Sequence, residues 1–76
     1  MKKIFIYEQS LMNGTVTMET QVAAFTIREL AEQVREDIRK DNAQRDLGGL
    51  RVCYGKVREI EVYESKDEVP FYQFKG

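Results

Sequence analysis

The sequence predicts a two-layer α+β fold, a four-stranded antiparallel sheet with one helix on one face and the element order β-β-α-β-β. Three observations carry that prediction: two strand-like runs flank Asn13-Gly14, one amphipathic stretch follows with a marked start and end, and strand-type residues return after Gly48-Gly49. At 76 residues the chain is expected to form a single domain over residues 1–76, because a second core would have too few residues to bury its own apolar surface.

Asn-Gly between two strand-like runs is the strongest short hairpin signal, since a type I′ turn needs positive φ at both central residues. With Asn13 and Gly14 as the loop, Met12 opposes Thr15. Phe5, Tyr7, Leu11, Val16, Met18 and Val22 then share the face toward the core, and Ile4, Ile6, Glu8, Ser10, Glu19 and Gln21 share the other. The helix follows in "AAFTIRELAEQVREDIRKDNAQRDLGG". Thr26 is placed to cap its first amides, Glu29 three residues on completes a capping box, and Phe25 against Leu30 has the spacing of a hydrophobic staple. Ile27, Leu30, Ala31, Val34 and Ile38 recur at helical spacing as one apolar stripe. Gly48-Gly49 supplies the left-handed residue that ends helices.

The run "LRVCYGKVREIEVYE", Leu50 to Glu64, is harder to place. As one straight strand it would span about 50 Å, well beyond the usual length of roughly 3–10 residues. A hairpin at Gly55-Lys56 would set Leu50 opposite Glu61 and Val52 opposite Glu59, so a bend or bulge at Gly55 is expected instead. Val57 to Glu64 is then the main third strand, with Ile60 and Val62 inward and Glu59, Glu61 and Tyr63 outward. After the polar turn "ESKDEVP", the run "PFYQFKG" is expected as the fourth strand, with Pro70 at its start or on an edge.

Composition narrows the function. Cys53 is the only cysteine, which excludes a disulfide within the chain and fits a reducing, cytoplasmic setting. With no histidine there are few nitrogen or sulfur ligands, so no metal and no cofactor are expected. The formal net charge of -1 does not pull the chain onto nucleic acid or anionic membrane. The opening apolar run stops at Glu8, short of the roughly 7–15 residues of a signal-peptide core, and no transmembrane stretch is visible.

The informative residues collect on the sheet face that no helix is left to cover. Glu8, Glu19, Glu59 and Glu61 are expected to face out there, joined by Ile4, Ile6 and Tyr63. A self-repelling acidic face with apolar spots suits a protein partner with a basic surface, which makes Glu8, Glu19, Glu59, Glu61 and Tyr63 the candidate partner-binding residues. The plainer alternative is that open antiparallel faces are normally polar. Tyr7, Tyr54, Tyr63 and Tyr72 with Lys56, Arg58 and Lys75 could instead form a stacking platform for single-stranded nucleic acid, although no glycine-aromatic motif accompanies them. A homodimer joined through Ile4 and Ile6 is a third reading. Cys53 has no histidine to activate it, and Glu59 and Glu61 stand side by side with no cleft implied. No enzyme activity is therefore expected.

The wording "CYGKVREIEV" after a single helix, with Cys53, Tyr54, Gly55, Val57, Ile60 and Glu61 as its marked positions, resembles small phage-encoded anti-CRISPR proteins in which an antiparallel sheet packs one helix. The opening "MKKIFIYE" is similar to the first strand of such a protein. The resemblance implies a non-enzymatic inhibitor or adaptor that docks on a subunit of a CRISPR effector complex and blocks nucleic-acid binding. Its matching positions are structural, so it assigns no site residue.

Overall fold

A computed structural model of the chain describes residues 2–73, without the side chains of Tyr72 and Gln73. The architecture is the expected α+β one: four antiparallel strands and one helix, in the order β-β-α-β-β. Strand β1 (Lys2–Asn13) is central, with β2 (Val16–Phe25) along one edge. Along its other edge β3 (Leu50–Tyr54) and β4 (Arg58–Val62) lie end to end, β3 beside Gln9–Asn13 and β4 beside Lys2–Ile6. Helix α1 (Arg28–Ala43) rests on β1 and β2.

The hairpin turn lies one residue later than the Asn13-Gly14 loop that the sequence suggests. Asn13 is the last paired residue, opposite Val16, and Gly14 takes the positive φ of 64° at the first loop position. Among the described residues no non-glycine has positive φ, so Asn13 stays in the strand and the turn needs only one left-handed residue. Beyond the turn, Leu11 pairs with Glu19 but Met12 with Thr17, which leaves Met18 as an extra residue in β2.

Gly55 marks a second one-residue irregularity. Tyr54 opposes Gln9 while Arg58 opposes Ile6, so the three residues between them face two of β1. The Gly55 N–H donates to the Glu8 carbonyl at 2.9 Å, and a Cβ at position 55 would stand 2.5 Å from that same oxygen. On the other side the Arg35 Nε of α1 donates to the Gly55 carbonyl at 2.7 Å. The bend expected here is thus a bulge, held from both sides.

Other expectations need correction. The helix starts after Ile27, whose extended φ of -127° and ψ of 128° mark it as the N-cap, and no side chain caps it. Thr26 is one residue too early to serve. The buried side of α1 runs through Ala31, Val34, Arg35, Ile38 and Asn42, leaving Ile27 and Leu30 on the exposed side. Gly48, with φ 67°, serves the loop to β3 and accepts no role at the helix end, its N–H donating to Asp46 Oδ1. Leu50–Tyr54 is a strand of its own (β3) and the last strand is Arg58–Val62 (β4), whereas Pro70–Gln73, expected to open the fourth strand, form a 3-10 turn after another at Lys66–Glu68, and residues 74–76 of the expected strand lie outside the described residues.

The core is thin. Among the described residues only Tyr7 and Ala31 are fully buried. The Cα radius of gyration is 16.5 Å, against about 11 Å for a compact chain of this length. The hairpin end carries Val16 and Met18 beyond the helix, both more than half exposed.

Two outcomes test this description. Gly55→Ala should destabilise the chain by about 1–3 kcal/mol, because the methyl group meets strand backbone that cannot yield cheaply; Gly49→Ala, where the added Cβ meets nothing within 4 Å, is the control in urea denaturation. Thr26→Ala should change stability by no more than about 0.5 kcal/mol, as for a surface position without a cap, and a larger loss in the same measurement would restore Thr26 as a cap.

Candidate functional site: the uncovered sheet face

The two bulges decide which residues share a face. β1 runs straight, with Phe5, Tyr7, Gln9 and Leu11 toward α1 and Ile4, Ile6, Glu8 and Ser10 on the opposite side, since neighbours along a strand alternate. Phe25, Ala23, Gln21 and Glu19 oppose the first set. Val52 and Tyr54 oppose Leu11 and Gln9, so β3 follows the parity that puts its apolar residues under the helix. Past Gly55 the extra residue reverses the faces. Ile60 opposes Ile4, Val62 opposes Lys2 and Arg58 opposes Ile6, whereas Glu59 opposes Phe5 and Glu61 opposes Lys3.

Ile60 and Val62 were expected inward and instead stand on the uncovered face; Val22, opposite Glu8, stands there too. With Ile4 and Ile6 they form an apolar cluster. Ile4, Ile6, Ile60 and Val62 are half-buried, and Val22 remains 60% exposed. Beside the cluster an open depression of about 540 Å³ surrounds the bulge, lined by Glu8, Ser10, Cys53, Gly55, Lys56 and Arg58 among others.

The five acidic and tyrosine candidates do not gather on one face. Glu8 alone is on the uncovered side, paired with Arg58 at 3.2 Å. Glu19 stands on the helix side of β2 and accepts from Gln21 Nε2 at 2.6 Å. Glu59 is also on the helix side, 3.2 Å from Lys3 and 3.6 Å from Arg28 of α1. Glu61 accepts from the Tyr63 hydroxyl at 3.1 Å. That bond pushes the exposed Tyr63 phenol up from its ordinary pKa. Each of these four carboxylates therefore has a partner within the chain, and the expected self-repelling acidic face does not form.

The tyrosines do not form a platform either. Tyr7 is buried beneath α1, and Tyr54 accepts from Asn42 Nδ2 at 3.0 Å with the Arg39 guanidinium over its ring; the Tyr72 side chain and Lys75 lie outside what is described. Cys53 is exposed on the uncovered side opposite Ser10. Among the described residues no three His, Cys, Asp or Glu side chains are gathered as a metal site would need, and no helix is long and apolar enough to cross a membrane.

Under the helix, the Tyr7 hydroxyl donates to Gln9 Oε1 at 2.8 Å, and Gln9 Nε2 donates on to Gln21 at 2.6 Å. Burial pushes the Tyr7 phenol above its ordinary pKa, and the Arg35 guanidinium pulls it partly back. In comparisons with known proteins, no family model, no curated protein and no solved structure matches this chain.

The Tyr7 shift has a measurable sign. The unfolded chain releases the phenolic proton at about pH 10, the folded chain only at higher pH. The stability that Tyr7 contributes through its proton is complete below that pH and is lost as the pH rises through the folded value. Urea midpoints of wild type should therefore fall more steeply above about pH 10 than those of Tyr7→Phe, and parallel slopes would show that this phenol is not coupled to folding.

Proposed function

We propose that this chain is a non-enzymatic protein-binding module whose uncovered sheet face is its contact surface. One observation carries the reading: the Gly55 bulge turns Ile60 and Val62 away from the helix and sets them beside Ile4 and Ile6. Open antiparallel faces are ordinarily polar. A cluster of branched aliphatic residues on such a face, rimmed by charged pairs, has the composition of an interaction surface. The arrangement offers no activated nucleophile and no pair of acid and base converging on a cleft, so its effect on a partner is to cover it.

The inhibitor form of this proposal, docking on a CRISPR effector complex to block nucleic-acid binding, is supported by the sequence resemblance alone. In that form the apolar cluster, rather than the dispersed glutamates, makes the central contact, and charged residues set the rim. The nucleic-acid reading gains no support from the buried Tyr7 and the helix-bonded Tyr54.

The test is a plating assay in which a CRISPR-immune host expresses the chain and is challenged with a targeted phage. The inhibitor form expects plaques with wild type and at least a tenfold loss with Ile60→Lys, since a charge buried in an interface core costs more than about 1.4 kcal/mol. Circular dichroism establishes that the variant folds. No rescue by wild type rejects the inhibitor form. A folded Ile60→Lys that keeps every association of the wild type rejects the face itself.

A further inference from the structure

We infer that two copies of this chain join through the free edge of β2, a two-fold axis near Val22 pairing the strands antiparallel and setting the two α1 helices side by side on one face of a continuous sheet.

The apolar side chains left most exposed collect at this edge. Of the seven large hydrophobic residues exposed among the described residues, Val16, Met18, Val22, Ile27 and Leu30 belong to β2 or to the start of the helix above it. β2 is the outermost strand, so one side of its backbone has no neighbour within the described chain. Such an edge is a template for an extended strand.

The helix is tied to the sheet on one flank only. Toward β3 and β4, Arg28 reaches Glu59, Arg35 the Gly55 carbonyl and Asn42 the Tyr54 hydroxyl. At roughly 100° per residue, Leu30 and Val34 fall on the opposite flank, above the β2 side. There Val34 and Ile38 line an open groove of about 170 Å³ with Gln21, Val22 and Ala23.

Spacing identifies the occupant as a second copy. α1 rests over β1 and β2, and paired strands lie about 4.8 Å apart, so a two-fold axis just outside β2 sets the two helix axes about 10 Å apart. Helices pack at roughly 8–10 Å. A bare peptide strand would pair with β2 but bring nothing to cover Leu30 and Val34.

The register follows from the helix. Arg28 lies over the Phe5 ring, and Phe5 opposes Phe25; six helical residues rise about 9 Å, or about three strand residues, which places Val34 level with Val22. An axis through Val22 then sets Val34 against its own mate and Leu30 against Ile38. In the sheet, Gln21 meets Ala23 and Thr20 meets Ala24. Glu19, the one charged residue of β2, meets Phe25 and not a second carboxylate. Of the acids on the helix flank, Asp37 and Asp41 are exposed, and Asp41 is already paired with Arg45 at 2.9 Å. The pairing uses both β2 edges, so it closes at two copies. Both uncovered sheet faces then lie on the same side, and a partner docking there meets the contact surface in duplicate.

Sedimentation equilibrium of the full chain tests the pairing. Wild type should run at twice its 8.9 kDa. Val22→Lys, at a position 60% exposed, sets two ammonium groups opposite each other and should raise the dimer dissociation constant by about tenfold or more. Leu30→Lys should do the same from the helix side. Val16→Lys, as exposed as Val22 but beyond the paired stretch, should leave the constant unchanged, with circular dichroism establishing that each variant folds. Hydrogen exchange needs no variant: β2 amides that point away from β1 should exchange slowly where the dimer predominates and quickly on dilution. A monomer at every concentration overturns the pairing, as do outward β2 amides that exchange as fast as loop amides in the dimer. A dimer lost in Val22→Lys and kept in Ile60→Lys supports the β2 edge even where no partner for the uncovered face is found. A dimer lost in Ile60→Lys and kept in Val22→Lys and Leu30→Lys overturns it.

Discussion

The close approach of Gly55 to the Glu8 carbonyl is the constraint on which the rest depends. A hydrogen bond of 2.9 Å joins the Gly55 N–H to that oxygen, and there is no room for a Cβ. Only glycine lets the strand fold inward there and return to β1 one residue out of step. Arg35 completes the clamp from the helix side. A single contact thereby joins helix, bulge and central strand, and it determines that everything beyond it is turned over.

Much of this was legible in the sequence, and the failures have one physical origin. The strand number, the single helix and the irregularity at Gly55 follow from Asn-Gly and Gly-Gly punctuation, from helical periodicity and from strand-length limits. The faces do not follow, because side chains alternate with a period of two and one inserted residue inverts all that come after it. It happened on both sides of β1, at Met18 and at Gly55. Glu19 and Val22 exchanged faces through the first, and Glu59, Glu61, Ile60 and Val62 through the second. The shared parity of Val52, Tyr54, Ile60 and Val62 looks like one buried stripe, yet the glycine in its middle was the available sign that the stripe divides. Pro70 gave a comparable sign, since a residue without an N–H suits a 3-10 turn as well as a strand start.

The divided stripe explains the thin core. Had Ile60 and Val62 faced the helix, they would have joined Phe5 and Tyr7 beneath α1. Instead Glu59 takes that side and ties the strand to Arg28 and Lys3 through exposed ion pairs, each worth at most about 1 kcal/mol. Ile60 and Val62 sit instead with Ile4 and Ile6 on the other side of the sheet, all four half-buried, so the apolar residues are divided between two faces, at about 25 cal/mol for each Å² removed from water, and neither face gathers enough of them for a thick core.

An apolar sheet face carries a risk of open-ended aggregation, and the surrounding residues limit how it can grow. The outer edge of β2 presents Thr17, Glu19, Thr20 and Gln21, polar side chains that restrict strand addition. The edge formed by β3 and β4 is interrupted by the bulge and carries Arg51, Arg58, Glu59 and Glu61, charges that do the same. On the face itself, the pair Arg58–Glu8 borders the cluster toward the bulge and Lys2–Glu64 borders its other end. Under the proposed function an area bounded in this way takes one covering partner, and the charged edges and solvated helix around it work against a growing assembly.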